Sequence, residues 1–425
     1  MAPRLPVPDL PVANHDDVDS MLSRKFGKEV ANYFSGSPLN RVSFLRTDHT
    51  FLSAALNHST TSFLLFNKLN PLTKDPTQLA FATFSDVKPL IGSDPYQQDE
   101  KEIVKAYNSS AFTPQLIFLG LDDRNKEGLV YKDAYRGAPF FALDVTPQKH
   151  IVAEAEKVIE KVTKDTGFTF AEGRMNLSLH AQEAAIYAEA RHMLDWNSRN
   201  PFCAQCGQPT LSTNAGWKRS CPPTDSANLP GGATSTTPET PRERASCATR
   251  QGISNLSFPR TDPTVIMAVV SADGERILLG RGGKWPKYWY STLAGFLEPA
   301  ESVEEAVRRE VWEESGIHVG RVVIHSTQPW PYPANLMIGA VGQAIPDGEN
   351  IHLGNDAELE DAKWFTLEEV REALRVGTSG LGEDAGPGYK EGDLRLPPST
   401  AIAHQLLKGV VHGGFLAGVV DRPSI

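Results

Sequence analysis

The sequence predicts an α+β protein of several domains, and three observations carry that prediction. At 425 residues the chain exceeds what one ordinary core holds, so two or three units are expected. Two long regions, about 29–200 and 261–425, mix short β-rich runs with helical periodicity. Between them, residues 201–260 contain all four cysteines and little apolar periodicity.

The composition is that of a globular enzyme. Hydrophobic residues make up 40% and charged residues 22%, with a mean hydropathy of −0.32, values that argue against a membrane protein and against a wholly disordered chain. A net charge of −10 gives no global field for gripping a polyanion. A phosphate-bearing ligand must then be held by a local cation cluster or by metals.

Residues 1–28 are expected to be disordered, and their start, Met1 to Val12, is Pro-rich and lacks the apolar core of a secretory signal. No stretch reaches membrane-spanning length; Gly409 to Val420 comes nearest, but it is Gly-rich and carries His412. These features point to an intracellular, cytoplasmic protein with no membrane partner. The closing Pro423-Ser424-Ile425 does not match a Ser-Lys-Leu address.

In region 29–200, strands are expected at Ser62–Leu65, Leu116–Leu121 and Phe140–Asp144, and helices at about Lys149–Thr166 and Leu179–Asn197. The second helix places Ala181, Ala184, Ala185, Ala188 and His192 or Met193 on one packed face. Asp94, Asp122 and Asp123 sit in turn-like contexts where a carboxylate is simply solvated, so nothing catalytic stands out.

Residues 201–260 open on Cys203-Ala-Gln-Cys206-Gly207, the knuckle spacing of a zinc ribbon. The second pair, Cys221 and Cys247, is split by a run dense in Pro, Ser, Thr and Gly, read as a flexible insertion over 222–246. Closing that detour costs roughly 1–2 kcal/mol against about 10 or more for a structural zinc site. Four thiolates complete a tetrahedron, so the Zn2+ they hold is structural; a disulfide is the competing reading.

Region 261–425 begins with a strand at Val265–Val270 and contains a Gly-rich loop at 377–392. Its decisive stretch runs from Gly295 to Ile317. Ser302 and Glu305 form a capping box, Gly316 is a stop, and the residues between are a helix of three to four turns. At 100° per residue, Val303, Ala306, Val307 and Val311 share a stripe with Glu310 and Glu314. Carboxylates on an apolar stripe in the last turn oppose both burial and the helix dipole, so they call for cations. Mg2+ or Mn2+ fits, because hard ions take a few carboxylates and complete their shell with phosphate oxygens. Glu313 lies one row aside, and Arg309 can hold these carboxylates by charge-assisted hydrogen bonds.

The spacing Gly-x5-Glu-x7-Arg-Glu-aliphatic-x-Glu-Glu-x-Gly-aliphatic matches the Nudix box at every defined position, a coincidence of order 10⁻⁷ by chance. Thr327-Gln328-Pro329-Trp330-Pro331-Tyr332-Pro333-Ala334-Asn335 resembles the Ser-Gln-Pro-Trp-Pro-Phe-Pro-x-Ser array of NADH pyrophosphatases, departing mildly at Thr327, Tyr332 and Asn335. Phe34 to Arg41, the zinc ribbon, and Phe258 to Pro263 also look like this family.

The resemblance implies a C-terminal catalytic Nudix α/β/α sandwich (261–425), a central zinc ribbon (201–260) and an N-terminal divergent Nudix-like α+β domain (29–200). It implies a homodimer that hydrolyses the pyrophosphate of NADH and NAD+ to nicotinamide mononucleotide plus AMP, and it allows removal of NAD caps from RNA 5′ ends. A peroxisomal location is also compatible with it. Carried over residue by residue, it assigns Mg2+ or Mn2+ to Glu310, Glu314, Glu358 and the Ala294 carbonyl, with Glu360 the rival of Glu358. The structural Zn2+ falls to Cys203, Cys206, Cys221 and Cys247. Glu313 or Glu314 takes the proton of the attacking water, with Arg309 and Glu310 completing the catalytic set. Phe258 and Phe296 are suited to sandwiching a flat base, Gln328, Pro329, Trp330, Pro331, Tyr332, Pro333, Ala334 and Asn335 to lining the pocket, and Ala403 to touching it. The competing class is a noncatalytic nucleotide sensor whose zinc ribbon docks a partner.

Overall fold

In both α/β regions, alternate residues of the central strands face opposite sides of a sheet, and each side carries its own helices. The computed structural model describes residues 5–12, 29–172, 178–227, 242–250, 256–355 and 358–412. The first region contains α1 (His49–Asn57), β1 (Ser62–Asn67), β2 (Asn70–Asp75), β3 (Gln78–Leu79), β4 (Phe81–Ala82), α2 (Phe84–Ile91) and α3 (Glu100–Lys105). It continues with β5 (Leu116–Asp122), β6 (Leu129–Tyr131), β7 (Tyr135–Asp144), α4 (Val152–Lys164), β8 (Thr169–Phe170) and α5 (Ala181–Arg199).

The sheet order is β3-β2-β1-β7-β5, with β1 and β7 parallel. Along β1, Phe63 and Leu65 join the core under α1, α2 and α4, whereas Leu64 and Phe66 join the core under α5. That period of two is what a strand buried on both faces requires. The helix expected from Lys149 starts with a 3-10 turn at Lys149–Ile151, because Lys149 itself lies in the left-handed region (φ 50) and cannot begin an α-helix.

Of the segment expected to be disordered over 1–28, residues 5–12 are placed, as a strap without regular secondary structure. Leu10 packs on the core under α5, and the Ser178 hydroxyl donates to the Pro6 carbonyl. Pro6, Pro8 and Pro11 have fixed φ and offer no N–H, so an extended path needs no strand partner. The remainder of 1–28 lies outside the described residues.

The middle module is a hairpin of β9 (Leu211–Thr213) and β10 (Lys218–Ser220), followed by β11 (Thr224–Asp225) paired with β12 (Arg242–Glu243). Both ends of the insertion expected over 222–246 are therefore built in, and the Arg244 guanidinium donates to Asp225 and to the Pro209 carbonyl. Burial raises the Asp225 carboxyl, but donation from Ser109, Ala227 and Arg244 outweighs it and holds the group at about 2. Residues 228–241 lie outside the described residues.

The last region contains β13 (Asp262–Val270), β14 (Arg276–Gly282), β15 (Leu293–Phe296), α6 (Val303–Ser315), β16 (Val319–Trp330), β17 (Asn335–Ala344), β18 (Leu359–Thr366), α7 (Leu367–Val376) and α8 (Ile402–His412). Its sheet runs β16-β17-β13-β14-β18, with β15 on β13 and the β13–β17 pair parallel. Val265, Met267 and Val269 of β13 pack with α6, while Ile266 and Ala268 pack with α8, so this region too has three layers. No helix among the described residues is long and apolar enough to cross a membrane.

Candidate active site

Helix α6 forms because its ends are specified locally. The Ser302 hydroxyl accepts the Glu305 N–H while the Glu305 carboxylate accepts the Ser302 N–H, closing the capping box. Gly316 ends the helix in the left-handed region at φ 74. Ala306, Val307 and Val311 anchor the helix in the core, which fixes how Glu310 and Glu314 are presented.

Arg309 organises the carboxylates. Its Nη1 donates to Glu310 and to Glu313, both at 2.9 Å, its Nε donates to Glu301 at 2.6 Å, and its Nη2 donates to the Phe296 carbonyl at 2.8 Å. The guanidinium thus ties the helix to the strand that precedes it. Burial raises the Glu310 carboxyl, and the charges of Glu313 and Glu358 add to that while Arg309 opposes it.

Glu310 rests on bare backbone. A Cβ at Gly295 would stand 1.9 Å from the Glu310 Cδ and 2.1 and 2.2 Å from its oxygens, so only glycine leaves room for the carboxylate there. The neighbouring residue, Ala294, lines a cavity of about 580 Å³ together with Glu314, Glu358, Glu360, Lys284 and Trp285. Carboxylates and a backbone carbonyl are hard oxygen donors of the kind Mg2+ and Mn2+ take, so the chemistry of this set suits a divalent cation, although among the described residues only the four cysteines stand within metal-holding distance of one another. Glu360 is drawn aside by Arg281, whose Nη1 is 2.9 Å from its carboxylate.

A second cavity, of about 400 Å³, lies between the first and last regions and has Trp285 in common with the carboxylate cavity. Tyr33 and Phe34 line it from one region; Trp330, Tyr332, Met337 and Ile402 line it from the other. The Phe34 ring meets Trp330 and Tyr332 edge-on at centroid distances of 6.0 and 6.2 Å. Such a wall suits a flat apolar group, and Trp285 is common to this cavity and the carboxylate one.

The four cysteines meet within 4.8 Å of one another and none is in a disulfide. Burial raises the Cys203 thiol, but donation from Thr249 and the N–H groups of Cys206 and Gln205 pulls it down to about 6. The Arg250 Nε donates to the Cys221 carbonyl at 2.9 Å, tying the two arms of the detour together. The tetrahedral donor set fits zinc.

Comparison with known proteins agrees with this geometry. The NUDIX domain model matches residues 260–381, the NADH pyrophosphatase-like rudimentary NUDIX domain 60–196, and the NADH pyrophosphatase zinc ribbon domain 198–227. The chain is 35% identical over 388 residues to the NAD-capped RNA hydrolase of Schizosaccharomyces pombe, covering 90% of this chain and 93% of that one. The chain belongs to the NADH pyrophosphatase family of Nudix hydrolases. The human NAD-capped RNA hydrolase NUDT12 is also 35% identical, with 90% of this chain and 73% of that protein covered. The mouse mitochondrial NAD(P)H pyrophosphatase NUDT13 is 31% identical, with 77% and 83% covered. Membership in this Nudix family implies dependence on divalent cations, and the family's zinc ribbon match covers Cys203, Cys206 and Cys221 of the four-cysteine cluster, which Cys247 completes from beyond it.

The remaining expected site residues of this NADH pyrophosphatase family member are spread more widely. Gln328, Trp330, Tyr332 and Ala403 line the aromatic cavity, whereas Pro329, Pro331, Pro333, Ala334 and Asn335 are not among its lining residues. Gln328 is held by the fold itself: its Nε2 donates to the carbonyls of Tyr33 and Thr400, and its Oε1 accepts the Ile402 N–H. Asn335 donates to Thr264, and the Ala334 carbonyl accepts the Asp262 N–H. Phe296 is 58% exposed. Phe258 lines neither cavity; its ring sits 5.5 Å from the Lys218 ammonium.

Sequence reasoning missed Trp285, Lys284, Tyr33 and the Gly295 cradle. The run Lys284-Trp285-Pro286-Lys287-Tyr288-Trp289 was a visible signal, being aromatic and basic between two strands. The role of Gly295 was not visible, since it rests on where a side chain 15 residues away comes to lie.

Proposed function

We propose that this chain hydrolyses the pyrophosphate of NADH and NAD+ to nicotinamide mononucleotide and AMP, and removes NAD caps from RNA by the same chemistry. The observation that carries the reading is the junction at Trp285 of a carboxylate-lined cavity with an aromatic one. A pyrophosphate carrying a flat base needs that pair of environments side by side.

In this reading Glu310, Glu314, Glu358 and the Ala294 carbonyl hold the cations, and Glu358 is preferred to Glu360 because Arg281 engages the latter. Mg2+ or Mn2+ bound there would neutralise the pyrophosphate oxygens and the leaving phosphate. Glu314 opens on the cavity, while Glu313 is held by Arg309. The proton of the attacking water is therefore assigned to Glu314. Trp330 and Tyr332 receive a base, at roughly 1–3 kcal/mol for a stacked ring. Phe258 and Phe296 belong to base recognition only once the substrate or a second copy of the chain brings them together, and we take the working form to be a homodimer.

The test is chromatography of the products from NADH, NAD+ and NAD-capped RNA with Mg2+ or Mn2+, beside Glu314→Gln. From the wild type, NADH and NAD+ are expected to give AMP and the mononucleotide, and NAD-capped RNA the mononucleotide and 5′-monophosphate RNA, all lost in the variant. Intact substrates in every wild-type reaction would overturn the reading. Light scattering on the purified chain gives the oligomeric state.

A further inference from the structure

The strap at residues 5–12 lies outside all three matched domains, which begin at residue 60 and end at residue 381. It nevertheless enters the aromatic cavity: Leu5, Pro6, Val7 and Pro8 all line it. Something must hold so short a segment in place, and the structure supplies three anchors. The Ser178 hydroxyl donates to the Pro6 carbonyl, and Leu10 packs against the core under α5. Pro11 lies so close to Gly36 that a Cβ there would stand 3.2 Å from its own; Gly36 also has φ 74, where glycine is favoured.

The chemistry of the strap matches the cavity. Two prolines fix an extended backbone at little ordering cost and remove two N–H groups that an apolar pocket would leave unsatisfied. Leu5 and Val7 add aliphatic surface, and Val7 is 62% exposed, apolar area left available beside the tryptophans. A heteroaromatic base is apolar on both faces, so it gains most where it is enclosed rather than laid on one wall.

We propose that Leu5–Pro8 is a specificity-determining wall of the base pocket, completing the enclosure of the flat base that Trp330 and Tyr332 receive. This rests on the dinucleotide reading above. The strap takes no part in bond breaking; it contributes binding shared by the ground state and the transition state, which appears in KM and leaves kcat in place.

The test uses two variants of the full protein: Leu5→Ser with Val7→Ser, and a chain beginning at Asp9 that keeps the Leu10 and Pro11 anchors. KM and kcat for NADH, NADH binding followed by its own fluorescence, and the melting temperature are measured for both. The expected result is a rise in KM and in the dissociation constant of about tenfold, roughly the loss of one apolar side chain's contact. In the same variants kcat stays within about twofold and melting is nearly unchanged. An unchanged KM in both variants, beside an active wild type, overturns the strap and leaves the dinucleotide reading standing. A fall in kcat that tracks a lower melting temperature, with KM constant, likewise overturns it, because that is the signature of a structural role. A wild type that neither binds nor cleaves NADH overturns the parent reading, and the strap with it.

Discussion

Gly295→Ala separates the site from the fold with one methyl group. Gly295 sits in β15 opposite Val265 with no positive φ, so alanine fits the backbone and should stabilise the fold by about 0.4–1 kcal/mol through the unfolded chain. Its Cβ, however, would stand 1.9 Å from the Glu310 Cδ, where ordinary contact begins at 3.4 Å, so the carboxylate must retreat by about 1.5 Å. A glutamate end can swing aside cheaply, so stability is spared. Ligand distances at a metal tolerate only about 0.2 Å, and misplacement by about 1 Å costs on the order of 100-fold in rate. We expect kcat for NADH to fall at least ~100-fold, equivalent to about 2.7 kcal/mol of barrier, with the melting temperature unchanged or slightly higher. The assay is AMP release at saturating NADH across a Mg2+ or Mn2+ titration, beside a melting curve. A variant within about fivefold of wild type at saturating cation would refute the argument that Glu310 works from the bare backbone at Gly295.

Three further outcomes follow from the same structure. Cys247→Ser should lower bound zinc from about one equivalent per chain and cut stability by several kcal/mol, since the tetrahedron loses a ligand; zinc analysis and melting read both, and an unchanged zinc content would sink the assignment. Burial raises the Glu189 carboxyl to about 7 despite Arg41 and Arg46, so the folded state keeps a proton that the unfolded chain releases near 4.5. Stability should therefore fall by on the order of 3 kcal/mol as pH rises from about 4.5 through 7, and urea titrations of Glu189→Gln at pH 5 and 8 should show a flatter dependence. Arg191→Met removes the cation 4.7 Å above the Tyr332 ring and the donor to the Pro331 carbonyl; KM for NADH should rise several-fold with a stability loss of roughly 1–3 kcal/mol, and wild-type KM would show that Tyr332 needs no such support.

What the sequence disclosed was whatever depends on short spacing. The α6 box, its cap and its stop are written within 23 residues, and the structure gives the helix those ends. The CxxC knuckle was equally local, and the two other thiols had no alternative partners once the compartment was taken as reducing. The runs that became β1 and β13 were equally local, although which side each residue faces was not written in them. What stayed hidden were contacts closed over long separations. Gln328 was expected at the pocket and lines the aromatic cavity, but the bonds its amide makes to Tyr33, Thr400 and Ile402, residues 295, 72 and 74 positions away, could not be foreseen. The strap failed for a related reason: a Pro-rich segment without periodicity looks disordered until the surface that holds it is known.

The array Trp330 to Asn335 exposes why the first region is needed beside the catalytic one. Its two ends are in the sheet, Trp330 opposite Asn335, yet Pro331 and Pro333 have no N–H to donate, so main-chain bonding alone leaves the turn weakly fixed. The missing restraint comes from α5, where Arg191 donates to the Pro331 carbonyl and Tyr187 meets the Tyr332 hydroxyl at 3.1 Å. Asn32 adds a bond of 2.9 Å to the Thr327 carbonyl, just before the array. A region in which nothing catalytic stands out therefore fixes the aromatic wall. Loosening it should act on base binding first, because the carboxylates on α6 are held separately, by Arg309 and by the bare backbone at Gly295.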